Sequence, residues 1–215
     1  MGHEQPLRFL DREEAGRELA SRLARYADSS PVVLALPRGG VPVGAPVARA
    51  LTAPLEVFVA RKVGAPNQPE LGIGAVAEGG VRVRDDDALR ALEIDDDIFA
   101  RLAAVEETEL RRRVLRYRGA RPFPDLSGRT AILVDDGLAT GVTALAALRS
   151  LRRFVDALLV LAVPVAPPST LRRLAPHADD LVCLLAPEPF AAVGYWYHDF
   201  HSVSDDEVLS LLGSG

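Results

Sequence analysis

Residues 131–143 read AILVDDGLATGVT, and this stretch decides the fold. A short apolar run ends abruptly in two adjacent carboxylates, Asp135 and Asp136, and a Gly/Thr turn then leads into the helix-like run TALAALRSLRR. An apolar run, a turn and a helical pattern in that order predict a buried strand whose carboxyl end meets the start of a helix. That junction has the chemistry to hold a sugar phosphate.

Acids at the carboxyl end of a buried strand would project into the crevice above the sheet. There, Asp135 and Asp136 can accept hydrogen bonds from vicinal ribose hydroxyls or steer a hydrated Mg²⁺. Gly137 and Gly141 let the backbone turn tightly, and the Thr140 hydroxyl stands beside the free N–H groups of the new helix's first turn. The carboxylates can bind the hydroxyls of the sugar, and the N–H and hydroxyl donors can bind its phosphate.

Two other phosphate motifs do not fit. The stretch lacks the Lys that a Walker A loop needs after its second Gly, and no G-x-G-x-x-G opens a helix in the sequence. A nucleoside triphosphatase or a dinucleotide enzyme is therefore disfavoured. The plain alternative is an ordinary strand and turn whose acids cap a helix, although capping needs only one acid.

Composition bounds the class of protein. A chain of 215 residues with 48% hydrophobic content can bury one full core, so we expect a single domain over residues 1–215. The formal net charge of −5 gives no overall basic footprint and argues against nucleic acid as a partner. The lone Cys183 excludes an intrachain disulfide. A charged N-terminal stretch and the lack of a long apolar segment predict a cytoplasmic protein with no membrane partner.

Strand and helix patterns alternate along the chain. Strand patterns occupy residues 31–36, 55–60, 71–77, 81–84, 131–136, 156–165 and 179–185. Helical patterns occupy residues 11–26, 41–51, 97–118, 143–153 and 204–212. This alternation predicts a mainly parallel α/β sheet with its site at the carboxyl ends of the strands. We expect the alternating VRVR run to be an edge strand.

The PRGG turn, residues 37–40, directly follows the first core strand pattern. Two glycines allow unusual backbone angles, so peptide N–H groups can face an anion while Arg38 adds positive charge. The pattern predicts a diphosphate site. The alternative for a tetrapeptide this short is a plain turn.

A pair of basic residues, Arg61 and Lys62, ends the LEVFVA strand pattern. At the carboxyl edge of a sheet, two cations could balance the charge of a bound diphosphate. The alternative is a pair of solvated charges that mark a strand end. The Gly- and Pro-rich stretch 64–80 that follows is poor material for a rigid packed element and could form a lid.

Residues 190–200, FAAVGYWYHDF, concentrate aromatic residues that are rare elsewhere in the chain. Tyr195 and Trp196 could stack on a flat base, and the alternative is that they close one end of the core. His198 and His201 lie close to an aspartate, but a convincing third ligand is missing, so we expect no metal there.

The pattern of four apolar residues, two acids, a short loop and T-G-x-T closely resembles the phosphoribosyl diphosphate (PRPP) signature of type I phosphoribosyltransferases. The PRGG turn and the Arg-Lys pair stand in the order expected of that family, and the resemblance spans residues 31–163. It implies a type I phosphoribosyltransferase-like α/β fold, with a mainly parallel central sheet flanked by helices. It also implies a small hood, which residues 185–203 could form, and a flexible loop with an inserted helix within residues 64–121.

The same resemblance assigns roles to residues. Asp135 and Asp136 would hold the ribose and steer Mg²⁺ through water, and together with Arg61 and Lys62 they are the predicted catalytic residues. The predicted pyrophosphate site, a turn that can carry a cis peptide in this family, consists of Arg38, Gly39 and Gly40. The predicted 5′-phosphate loop consists of Gly137, Leu138, Ala139, Thr140, Gly141, Val142 and Thr143.

The implied reaction is displacement of pyrophosphate from C1 of PRPP by a nucleobase-like ring nitrogen, with Mg²⁺ as cofactor. In 6-oxopurine enzymes of the family the residue before T-G is usually an Asp, whereas this chain has Ala139, so hypoxanthine or guanine is disfavoured. Two alternatives stay open: a non-catalytic sensor of PRPP or a nucleotide, and a phosphohydrolase acting on a phosphoribosyl compound. The sequence does not give the oligomeric state, although homodimers are common among related proteins and a homodimer is one possible assembly.

Overall fold

The computed structural model describes residues 8–213, and its central element is a sheet of five parallel strands. These strands are β1 Val32–Ala35, β2 Leu55–Val57, β6 Ala131–Val134, β7 Leu159–Val165 and β8 Asp180–Leu185, in the spatial order β2-β1-β6-β7-β8. The residues of β1, β6 and β7 are all buried, because helices cover both faces of the sheet. The predicted mainly parallel α/β fold is confirmed.

Seven helices lie in the described part of the chain. They are α1 Arg12–Leu23, α2 Gly40–Ala50, α3 Asp86–Ala91, α4 Asp96–Arg118, α5 Val142–Leu151, α6 Pro168–Leu174 and α7 Asp205–Leu212. The first predicted helix ends at Leu23 and continues as a 3₁₀ segment, Ala24–Ser29. Apolar residues of α1 and α2 pack on one face of the sheet, and those of α5 pack on the other. Across residues 8–213, no helix is both long and apolar enough to cross a membrane.

A second, antiparallel sheet corrects one strand prediction. It consists of β3 Ala60–Ala65, β4 Gln68–Ala77 and β5 Val81–Arg84, with β4 in the middle and the VRVR run at an edge as expected. The 55–60 pattern is therefore not one strand ending at Arg61 and Lys62. The chain leaves the parallel sheet after Phe58, whose N–H donates to the Ala35 carbonyl at 2.9 Å, and both basic residues lie inside β3.

The glycine-rich stretch 64–80 forms regular structure, contrary to the expectation that it would pack poorly. A Cβ on Gly64 would come within 2.4 Å of the Pro69 carbonyl oxygen, and one on Gly74 within 2.4 Å of the Val83 carbonyl oxygen. These glycines thus allow close approach between neighbouring strands rather than flexibility. The wider range 64–121 contains most of the antiparallel sheet together with α3 and α4.

Arg118, the last residue of α4, ties the antiparallel sheet to the parallel one. Its buried guanidinium lies 2.6 Å from Glu78 Oε2 and donates to the Val57 carbonyl oxygen at 2.8 Å. Glu78 Oε1 in turn accepts the backbone N–H of Val59 at 2.7 Å. One ion pair therefore connects α4, the turn after β4 and the end of β2.

Arg118→Met removes the cation that pairs with the partly buried Glu78 carboxylate. We expect it to lower the free energy of unfolding by about 3–5 kcal/mol, measured by urea titration. The control is Arg90→Gln, which removes an exposed pair with Asp87 and should leave the unfolding midpoint unchanged. Equal stability of Arg118→Met and the wild-type protein would contradict this role.

Candidate PRPP site

A cavity of about 580 Å³ lies where the turns after β1 and β6 meet the antiparallel sheet. Its walls include Pro37 from the PRGG turn, Arg61 and Lys62 from β3, Asp135 after β6, and Thr143 in α5. Residues that are distant in sequence, and that the sequence pattern assigned to one ligand, therefore share one cavity. The carboxyl ends of the parallel strands β1 and β6 bring Pro37 and Asp135 together, and the antiparallel sheet adds Arg61 and Lys62 from β3.

The two signature carboxylates differ in their surroundings. Asp135 lines the cavity, and its Oδ1 accepts the backbone N–H of Asp136 at 2.9 Å. Burial raises the pKa of Asp135 well above its usual value, and the neighbouring Asp136 charge raises it further. Asp135 is thus a carboxylate whose ionised form the protein alone solvates poorly.

Asp136 is an internal ion-pair partner and does not line this cavity. Its side chain is only 15% exposed, and its Oδ2 accepts a hydrogen bond from Arg12 Nε at 2.8 Å. Burial raises the pKa of Asp136, and the Arg12 guanidinium opposes that rise. Asp136 thus takes part in an internal ion pair, and its expected role as a ribose ligand stays a prediction.

The loop after β6 leaves donors free at the start of α5. Gly141 precedes the helix with a φ of 68°, a left-handed conformation that favours glycine, and no side chain caps the first turn. The first α5 bond, from Leu145 N–H to the Gly141 carbonyl, leaves the preceding N–H groups available to an anion. Thr143, in the same turn, lines the cavity.

Neighbouring elements hold the 137–143 loop in place. The Leu138 N–H donates to the Val165 carbonyl at 2.9 Å, and the Thr170 hydroxyl donates to the Ala139 carbonyl at 2.6 Å. Arg173 donates to the Thr140 carbonyl. These contacts tie the loop to β7 and to the α6 helix.

The PRGG turn needs its glycines for space and not for unusual angles. Gly39 has an ordinary helical φ of −61°, so the expected backbone angles are wrong. A Cβ on Gly39 would lie 2.0 Å from Asp136 Oδ2, and one on Gly40 would lie 2.7 Å from the Val134 carbonyl oxygen. The Pro37–Arg38 peptide bond is cis. The Arg38 guanidinium lies 3.8 Å from an Asp205 carboxylate oxygen, outside the cavity wall.

The two cations in the cavity already have acidic partners. Arg61 Nε lies 2.6 Å from Glu106 Oε2, and Lys62 Nζ lies 2.8 Å from the Glu70 carbonyl oxygen and 3.3 Å from its carboxylate. Glu70 and Glu106 both line the cavity, and the sequence analysis did not single them out. Both glutamates can be read from the sequence, but no sequence pattern indicates that they pair with Arg61 and Lys62.

Trp196 belongs to the core, which corrects its predicted role in base stacking. It is 8% exposed and clusters with Phe9 and Val165, because the Phe9 N–H donates to the Trp196 carbonyl and draws this segment inward. Tyr195 is 46% exposed, and the Arg8 guanidinium lies 4.0 Å from its ring centroid. Neither ring lines the 580 Å³ cavity. In residues 8–213 we find no group of three His, Cys, Asp or Glu side chains that could hold a metal.

Comparison with known proteins defines the class. The profile of the phosphoribosyl transferase domain matches residues 8–197. Two Mycobacterium tuberculosis proteins, provisionally named phosphoribosyl transferases, are 48% identical over 204 residues. The match covers 95% of this chain and 46% of each relative, so the chain spans about half their length. The chain belongs to the phosphoribosyl transferase family.

Solved structures agree in fold. The crystal structure of the TT1426 protein from Thermus thermophilus superposes with a TM-score of 0.79 at 46% identity, covering 96% of this chain and 98% of that one. A hypoxanthine-guanine phosphoribosyltransferase from Bacillus anthracis has a TM-score of 0.50 at 13% identity, covering 88% and 87% of the two chains. At that identity the second likeness concerns the fold alone.

The two signature acids should respond oppositely to amide substitution. Asp135→Asn should raise the melting temperature at pH 7, because its pKa is raised in the folded state and its ionisation therefore lowers stability above about pH 4. Asp136→Asn should lower the free energy of unfolding by about 3 kcal/mol, because the buried Arg12 guanidinium loses its carboxylate partner and that loss outweighs the relief of burying the Asp136 charge. Urea and thermal unfolding measure both. Destabilisation of equal size by the two substitutions would contradict this distinction.

Proposed function

We propose that the protein transfers the 5-phosphoribosyl group of PRPP to a nucleobase-like nitrogen nucleophile and releases pyrophosphate. One observation carries the proposal: the 580 Å³ cavity unites Asp135, the first turn of α5 at Thr143, and the cations Arg61 and Lys62. A sugar flanked by a phosphate and a diphosphate needs that combination of acceptor, anion site and positive charge. Membership of the family supports the same reaction.

Each part of PRPP has a suitable partner. Asp135 accepts hydrogen bonds from the ribose hydroxyls, and these donors favour its ionised form, which burial in the protein disfavours. The uncapped N–H groups at the start of α5, with Thr143, bind the 5′-phosphate. The turn at 38–40 binds the diphosphate through its backbone, while Arg61 and Lys62 approach it from β3.

The reaction balances without a nucleophile from the protein. The acceptor nitrogen forms a bond to C1 of the ribose and gives up its N–H proton to the released pyrophosphate, while the C1–O bond breaks with its electron pair leaving on that pyrophosphate. Charge therefore moves from the ring to the leaving group, and Arg61 and Lys62 stabilise it there. To do so they exchange Glu106 and Glu70 for phosphate oxygens. The hairpin of β3 and β4 supplies much of the cavity wall, including Arg61, Lys62 and Glu70.

A magnesium ion fits the donor set only in company with the substrate. Two adjacent carboxylates, Asp135 and Asp136, are too few for an all-protein Mg²⁺ site, and Mg²⁺ commonly retains water and phosphate ligands instead. Asp135 would hold the ion through its water shell. When bound, the ion adds positive charge that stabilises the departing pyrophosphate.

The direct test is PRPP binding by calorimetry with and without Mg²⁺, followed by pyrophosphate release against a panel of nucleobases. We expect binding, and release only when a suitable base is present. Binding without release for any base would favour a sensor, and release without a base would favour a hydrolase. Absence of PRPP binding would contradict the proposed function.

Glu106→Gln should tighten binding of the diphosphate group. Glu106 Oε2 lies 2.6 Å from Arg61 Nε and competes with the ligand for this cation. Because glutamine carries no charge, the variant protein should bind inorganic pyrophosphate about two- to fivefold more tightly than the wild type, as measured by calorimetry. The matched control is Glu107→Gln, because Glu107 pairs with Arg82 and lies outside the cavity wall. Equal affinity of Glu106→Gln and the wild type would contradict the competition.

A further inference from the structure

Arg12 occupies an unfavourable position for a cation. It is the first residue of α1, directly after the N-cap Asp11, where the helix dipole disfavours positive charge. It is also only 7% exposed, which removes most of the water that would otherwise solvate a guanidinium. A buried cation in such a place requires strong partners elsewhere in the molecule.

Those partners lie in the acid pair after β6 and in the C-terminal part of the chain. Arg12 Nε donates to Asp136 Oδ2 at 2.8 Å, and Arg12 Nη1 donates to the His201 carbonyl oxygen at 2.8 Å. The guanidinium carbon lies 3.8 Å from the ring centroid of Phe200. Arg12 thus joins α1, the acid pair after β6 and the loop before α7.

Asp136 transmits this anchoring to the PRGG turn. A Cβ on Gly39 would lie 2.0 Å from Asp136 Oδ2, which means that the carboxylate packs directly against that turn. The Tyr197 hydroxyl fixes the Asp136 backbone by donating to its carbonyl at 2.5 Å. Arg12 and the Gly39 turn therefore hold the carboxylate, and Tyr197 holds the backbone of the same residue, while Asp135 beside it lines the cavity.

We propose that Arg12 is a positioning residue that acts through Asp136: it holds the two substrate-binding turns, 37–40 and 135–137, in the relative position that PRPP requires. The inference rests on the proposed function and adds a residue that lies outside every motif of the sequence. Arg12 touches no substrate in this account, because neither it nor Asp136 lines the 580 Å³ cavity. Its effect is carried by the Arg12–Asp136–Gly39 contact chain.

A double-mutant cycle tests the coupling. The variants are Arg12→Gln, Asp136→Asn and both together, and the readout is PRPP affinity by calorimetry without added Mg²⁺, at a temperature where each variant is fully folded. We expect each single substitution to weaken binding about tenfold or more, and the double variant to bind no more weakly than the weaker single one. Arg12→Lys keeps the charge and should restore part of the lost affinity.

A matched control separates positioning from general stability. Arg17 lies on the same helix and pairs with Glu13 on the surface, so Arg17→Gln should bind PRPP as the wild type does. Wild-type affinity in Arg12→Gln, or losses that multiply in the double variant, would overturn the inference and leave the proposed function standing. If the wild-type protein itself does not bind PRPP, the proposed function fails and the inference fails with it. Should Arg12→Gln not fold, Arg12→Lys decides: affinity unchanged from wild type despite a lowered melting temperature would overturn the positioning role.

Discussion

Close backbone contact between the turns after β1 and β6 is the constraint on which the site depends. The Leu36 N–H donates to the Val134 carbonyl at 2.9 Å, which extends the pairing of these two strands to their ends. Gly40 then passes so close to the same carbonyl that a Cβ would lie 2.7 Å from it. Only a residue without a side chain permits this approach, so the diphosphate turn and the acid pair become neighbours through sterics before any electrostatic interaction acts.

Electrostatics then divides the acid pair into two functions. Asp136 is neutralised internally by Arg12, whereas Asp135 remains beside the cavity with a raised pKa. Hydrogen-bond donors or positive charge from a ligand would stabilise the ionised form of such a carboxylate. Arg61 has the complementary arrangement, since it holds a carboxylate that a phosphate can replace. The acids and bases around the cavity are therefore paired with one another, and under the proposed function PRPP would exchange these partners for its own phosphate and hydroxyl groups.

Sequence patterns predicted much of the fold, because continuous apolar runs and helix caps are local signals. The parallel sheet and the α4 and α7 helices follow from residues adjacent in the chain, and Asp95 and Ser204 cap those two helices as local chemistry dictates. The signature and the PRGG turn also lie where local patterns indicated. The glycine-rich hairpin was misread, because a glycine that permits close strand packing looks the same in sequence as one that permits flexibility.

Ion pairs between residues far apart in the chain could not be predicted from the sequence. Arg12 and Asp136 are separated by 124 positions, and Arg61 and Glu106 by 45. One local signal for Arg12 did exist, since a cation in the first turn of a helix opposes the helix dipole and calls for a partner. The partner's identity depends on how α1 packs against the carboxyl ends of the strands, and that is a property of the tertiary structure.

A structure determined from crystals of the protein soaked with PRPP tests most directly where each part of PRPP binds. The account predicts the ribose hydroxyls against Asp135, the 5′-phosphate at the first turn of α5, and the diphosphate between the 37–40 turn and Arg61, with Asp136 still paired to Arg12. PRPP bound at another surface, or a ribose held by Asp136 after loss of the Arg12 pair, would contradict it.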